Sequence, residues 1–176
     1  MRHSLVVRAL AALITLAPAV YAQGVSGTTT FIVVRHAEKG TEPANDPPLT
    51  AAGIARAEAL VDLVKDAGVQ AVVSTQFART KSTVAPAAVR LGLTTQVLDA
   101  RLTPKATADS LLAQHRGHTV LLVGHSNTVP AIIGALGAPQ PADICDAGYD
   151  NAYVVTVPTS GAATVVRLHY GVKAGC

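Results

Sequence analysis

Short apolar, β-branched segments alternate along this chain with stretches of helical periodicity, and that alternation limits its fold more than any other feature. Thr28 to Val34, Val69 to Ser74 and Thr119 to Val123 read as strands. Near-continuous apolar runs of this length suit strands covered on both faces. After the first strand comes a loop rich in Gly and Pro, and Thr50 then caps a helix. Its apolar positions are Ile54, Leu60, Val61 and Val64, and Gly68 is its stop. A second helix is expected from about Phe77 to Leu91, kinked or broken at Pro86. Gln96 to Leu98 is a short strand, Thr107 to His115 a third helix, and a fourth ends at Leu136. Tyr153 to Val157 and Thr164 to His169 form a hairpin around Pro158 to Gly161. This order predicts one α/β domain: a three-layer sandwich with a mostly parallel, part antiparallel central sheet flanked by helices.

In a parallel sheet the carboxyl ends of the strands lie along one edge, where ligands bind. Three strands here end in groups suited to a single oxyanion. The first runs into Arg35 and His36, the second into Ser74-Thr75 and then Arg79, and the fourth into Gly124-His125-Ser126. Arg holds tetrahedral oxyanions through paired hydrogen bonds, and His acts as nucleophile or as acid and base. Each group alone has a plain explanation as a polar residue after a strand. Three at equivalent strand ends make a compact positive cup with fixed donors.

The first residues lie outside this pattern. Arg2, His3 and Arg8 precede the apolar run Ala9 to Ala17, and Val20-Tyr21-Ala22 offers a small residue at a cleavage point. That is the layout of a secretory signal peptide over residues 1–22, followed by a mature domain over 23–176 that is exported to the periplasm or beyond. Removing Arg2 and Arg8 takes the formal charge from +3 to +1. With few lysines, no basic run and few aromatics, a nucleic-acid surface is not expected. Nor does a further apolar run reach the length of a membrane span. Cys145 and Cys176 suit one disulfide in an exported chain, and no His or Cys spacing suggests zinc.

Together these segments resemble the histidine phosphatase superfamily, also called phosphoglycerate mutase-like. Its Arg-His-Gly-Glu motif is similar to Arg35-His36-Ala37-Glu38, and its Asp-x-Pro-Leu-Thr-x-x-Gly segment to Asp46 through Gly53. Ser74 to Thr80, with Thr83 further on, resembles the segment bearing the second phosphate-binding Arg, and Gly124 to Asn127 the second catalytic His motif. The resemblance spans about residues 28–169. It implies a small exported phosphatase that hydrolyses phosphomonoesters without a metal or cofactor. His36 would become a phosphohistidine, and Arg35, Arg79 and His125, with Ser126 beside them, would hold the phosphoryl oxygens. The carboxylate that such enzymes use on the leaving oxygen has no obvious counterpart; Glu38 and Asp99 are the candidates. Asp46, which could cap a helix or orient its loop, and Asp150 are further carboxylates in the region.

Two other readings compete. A phosphate-binding protein without activity would keep the arginines and lose a catalytic group. A serine hydrolase would use Ser126 in an elbow like Gly-x-Ser-x-Gly, with one of Asp143, Asp146 or Asp150 and then His169, but Thr128 stands where the elbow needs Gly. The substrate is expected to be a small phosphorylated compound in an open pocket, since the segments around the site carry few large side chains.

Overall fold

The computed structural model describes residues 27–175. The expected signal segment, residues 1–22, and the expected partner of Cys145, Cys176, lie outside that range. Ten elements follow one another: β1 (Thr29–Arg35), α1 (Ala51–Val64), β2 (Ala71–Thr75), α2 (Ala78–Leu91), β3 (Thr95–Leu98), α3 (Pro104–His115), β4 (Thr119–Gly124), α4 (Val129–Ala135), β5 (Asn151–Val157) and β6 (Thr164–His169). The strands form one sheet in the order β3-β2-β4-β1-β5-β6. The first four in that order are parallel, while β5 and β6 run antiparallel as the expected hairpin.

Alternation along β1 builds both halves of the core, because successive strand side chains point to opposite faces. Phe31 and Val33 join Leu111 of α3 and Ile132 and Ile133 of α4 on one face. Ile32 and Val34 join Leu60 and Val64 of α1 and Val84 and Ala87 of α2 on the other. Burying a side chain of this size contributes about 1.5–3 kcal/mol, so a double-sided central strand holds the three layers together.

Local expectations hold with three corrections. Thr50 does cap α1, its Oγ1 accepting from the Gly53 N–H at 3.2 Å. Ile54, however, is 57 % exposed, and Arg56 takes a core position on the same helix. Helix α2 runs through Pro86 without a break. Val84, Ala87 and Ala88 are buried around that proline, and the packing of the helix outweighs the one backbone hydrogen bond it removes. Helix α3 starts three residues before the expected Thr107, because Thr103 caps it and Pro104 opens it.

Glycine is required at one place that bears on the site. A Cβ at Gly53 would lie 2.1 Å from the Glu38 carbonyl oxygen, so the first turn of α1 rests on the backbone just after His36. Hydrogen bonds from Thr50 N to Glu38 O (2.9 Å) and from Gly40 N to Pro48 O (2.8 Å) close the intervening loop.

Candidate active site

Strand register brings the two histidines together. Arg35 of β1 pairs with Gly124 of β4, so the next residue on each strand is a histidine. The His36 N–H donates to the Gly124 carbonyl at 2.9 Å, and the two imidazole centroids are 5.4 Å apart. On the other side of β4, Ser74 of β2 pairs with Val123, which sets Thr75 beside His125. The carboxyl ends of β1, β2 and β4 thus meet at one cup of about 380 Å³, lined by Arg35, His36, Lys39, Phe77, Arg79, His125, Ser126 and Asp146 with Ala100, Asn127 and Thr128.

Each arginine is held on an aromatic ring. Arg35 lies 4.1 Å from the Tyr149 ring centroid and Arg79 4.2 Å from that of Phe77. Arg35 Nη1 also donates to the carbonyls of Cys145 (2.9 Å) and Asp146 (3.0 Å). Arg79 pairs with Asp46 at 3.4 Å, and both Asp46 carboxylate oxygens accept from the Ala78 N–H. Asp46 is therefore a distant cap for α2, one of the two roles its motif suggested. The Nε atoms of both arginines are buried without a hydrogen-bond partner among the described residues, which is unusual for a folded protein. Burial lowers the proton affinity of both guanidiniums, opposed by Tyr149, Asp146 and Glu38 at Arg35 and by Asp46 at Arg79.

The hydrogen bonds decide the tautomers. His36 Nδ1 lies 2.8 Å from the Ala37 carbonyl, which can only accept. The proton is thus on Nδ1, and Nε2 carries a free lone pair. The Ala37 N–H donates to Thr83 Oγ1 at 2.9 Å, tying the same residue to α2. At His125, Nε2 lies 3.0 Å from Thr75 Oγ1, which is itself 2.8 Å from Thr80 Oγ1. Thr80 has acceptors for its own proton in the carbonyls of Phe77 (2.9 Å) and Thr75 (3.1 Å). Thr75 then donates to Thr80 and accepts from His125 Nε2–H, which leaves Nδ1 of His125 unprotonated.

Both rings are neutral at pH 7. Burial pushes His36 from 6.5 to about 4; the Ala37 hydrogen bond opposes the fall, and Arg35, His125 and Arg79 add to it. Burial, then Arg79 and Arg35, take His125 to about 4 as well. NMR titration should therefore find both imidazoles changing state near pH 4 in the ligand-free protein; midpoints near 6.5 would contradict the packing described. A depressed folded-state value also means that the unfolded chain binds more protons below pH 6.5. The stability that these histidines contribute is complete above that pH and lost as the pH falls through 4.

The remaining carboxylates expected near the site do not line the cup. Glu38 is gripped by Arg56, which donates to it through Nε (2.9 and 3.0 Å) and Nη2 (2.8 Å), and it borders a separate groove. Asp99 is exposed and paired with Arg101 at 2.6 Å; hydrogen bonds from Arg101 hold it down at about 2, the state of a carboxylate and not of an acid. Asp150 is buried and hydrogen-bonds His169 at 3.0 Å, away from the cup. Ser126 does line the cup. No described non-glycine residue has a positive φ, so Ser126 lacks the strained backbone of a nucleophile elbow, and His169 does not line the cup that Ser126 borders. Asp146, Tyr149 and Phe77 are the site residues that the sequence motifs did not bring forward as such.

Residues 31–103 match the histidine phosphatase superfamily (branch 1) model. Among solved structures, a protein histidine phosphatase SixA complexed with tungstate superposes with a TM-score of 0.65 at 22% identity, covering 80% of this chain and 96% of its own. A mycobacterial glucosyl-3-phosphoglycerate phosphatase gives 0.61 at 13% identity, with 81% and 98% covered. YhfR of Bacillus stearothermophilus gives 0.59 at 16%, with 72% and 90% covered. No sequence among the curated proteins matches. The matched segment carries Arg35, His36 and Arg79, and the solved structures share the fold of this chain.

Proposed function

We propose that the protein hydrolyses phosphomonoesters in two steps through a phosphohistidine on His36. The observation that carries this reading is the tautomer of His36: its Nδ1–H is committed to the Ala37 carbonyl, so a neutral Nε2 lone pair is left for attack in a cup with two anchored arginines. Nε2 bonds to phosphorus as the ester oxygen leaves, and water then takes the phosphoryl group from nitrogen. Arg35 and Arg79 bind the phosphoryl oxygens and stabilise the charge that builds on them. His125 can join them through Nδ1 once it has taken a proton, which a bound dianion favours by offsetting the arginine charges. Ser126 borders the same space as a further donor.

An open cup suits accessible phosphates more than one deeply enclosed ligand. The named relatives, a protein histidine phosphatase and a glucosyl-3-phosphoglycerate phosphatase, differ widely in substrate, so the shared fold leaves the choice open within small phosphorylated compounds. The direct test is to assay the protein against a panel of phosphate esters and to quench it in acid and in base. Turnover with an acid-labile, base-stable phosphoenzyme is expected, and chelators should leave it unchanged because arginines supply the positive charge. Tight phosphate binding without turnover or labelling would make the protein a binder instead.

The basic start, the apolar run and Ala22 support export, with residues 1–22 removed. Mass spectrometry of the exported protein should find Gln23 at its amino terminus. An intact Met1 in a cytosolic pool would exclude this.

A further inference from the structure

We infer that Asp146 is the general acid and base that works opposite His36; this rests on the phosphohistidine reading above. Five carboxylates lie in the region, and four are already engaged. Glu38 is bound by Arg56, Asp46 by the Ala78 N–H and Arg79, Asp99 by Arg101, and Asp150 by His169. Of the five, Asp146 alone lines the cup, and among the described residues its carboxylate makes no hydrogen bond or ion pair.

Its backbone is nevertheless fixed. Arg35 Nη1 donates to the carbonyls of Cys145 and Asp146, at 2.9 and 3.0 Å, and the guanidinium stacks on Tyr149 three residues later. The Tyr149 ring in turn lies 6.1 Å from that of His36. The loop carrying Asp146 is thus clamped to the strand end that carries the nucleophile. The residue is exposed, so water can reach its carboxylate.

The steps balance. As the His36 Nε2 lone pair forms the N–P bond, the ester P–O bond breaks and its electrons go to the leaving oxygen. That oxygen takes the proton of Asp146, giving the free alcohol and a carboxylate. The carboxylate then removes a proton from water as the water oxygen bonds to phosphorus. The N–P electrons return to Nε2, and inorganic phosphate leaves with the carboxyl again protonated.

The test compares Asp146→Asn with wild type on two esters, 4-nitrophenyl phosphate and glycerol phosphate. A nitrophenolate leaves without help, whereas an alkoxide needs a proton. Asp146→Asn should lower kcat/KM for glycerol phosphate by about 10²-fold or more and for 4-nitrophenyl phosphate by less than about tenfold. Asp146→Ser, which also lacks the acid, should show the same split, and tungstate binding should persist in both variants. Equal losses on the two esters, or no loss on either, would overturn the assignment while leaving the phosphohistidine reading intact. A wild-type protein that turns over neither ester and is never phosphorylated would overturn both.

Discussion

His36→Ala should abolish phosphatase activity, with a loss on the order of 10⁴-fold or more, and should remove the labelled intermediate altogether. No other imidazole replaces it. His125, 5.4 Å away between ring centroids, has its Nε2 occupied by Thr75 and belongs to a different strand end. The substitution leaves Arg35 and Arg79 in place, so tungstate or vanadate should still bind. That separates loss of a nucleophile from loss of the site. Ser126→Ala is the matching control and should change turnover little, because among the described residues the Ser126 hydroxyl has no hydrogen bond to a histidine that would activate it. An esterase activity that survives His36→Ala and dies with Ser126→Ala would return the protein to the serine-hydrolase reading.

The strands and the cup were legible because both rest on short-range signals. A buried β-branched run followed by Arg-His, or by Gly-His, marks a strand and its end in the same few letters. The parallel order then makes those ends neighbours without any long-range information. Register did the rest: the Arg35–Gly124 pairing converts two separate motifs into adjacent histidines. Helix faces were less legible. Ile54 fits helical spacing yet is exposed, since the side of α1 that meets the sheet is set by Gly53 resting on Glu38 and by Arg56 reaching inward. Hydrophobic periodicity has no means of placing a buried arginine.

The carboxylates were the hardest residues to read, and for the same reason. What an Asp or Glu does depends on which cation it meets, and the partners here are distant in sequence. Glu38 sits inside the nucleophile motif but belongs to Arg56, 18 residues on. Asp46 caps a helix 32 residues away. Asp146 has no motif around it and reaches the cup only because Arg35 holds its backbone 111 residues from the strand. Proximity in the chain favoured Glu38, whereas proximity in space favours Asp146.

Arg56→Met should be the most destabilising single change among the charged residues of the fold, by about 3–5 kcal/mol. Methionine has a similar reach but no donor. The change leaves the Glu38 carboxylate, whose side chain is 21 % exposed, without the cation that grips both its oxygens. It also strips the Arg56 hydrogen bonds from the carbonyls of Tyr170 and Val172, each 2.8–2.9 Å long, which tie the last described residues to α1. Broken partners in a buried network cost more than the intact pair contributes, because the groups left behind stay desolvated. Glu38→Gln should cost less, since an amide oxygen still accepts from Arg56. The double variant Arg56→Met with Glu38→Leu should recover part of the loss by removing the stranded charge. Urea denaturation monitored by circular dichroism measures all three, and a shift within about 0.5 kcal/mol for Arg56→Met would mean that the network is ornamental. The effect reaches the site through the backbone. The Glu38 carbonyl accepts from Thr50 N and abuts Gly53, two residues from His36. Folded Arg56→Met protein should therefore bind tungstate nearly as wild type does but form the phosphoenzyme more slowly, because the arginines keep their own anchors while the nucleophile loses part of its own.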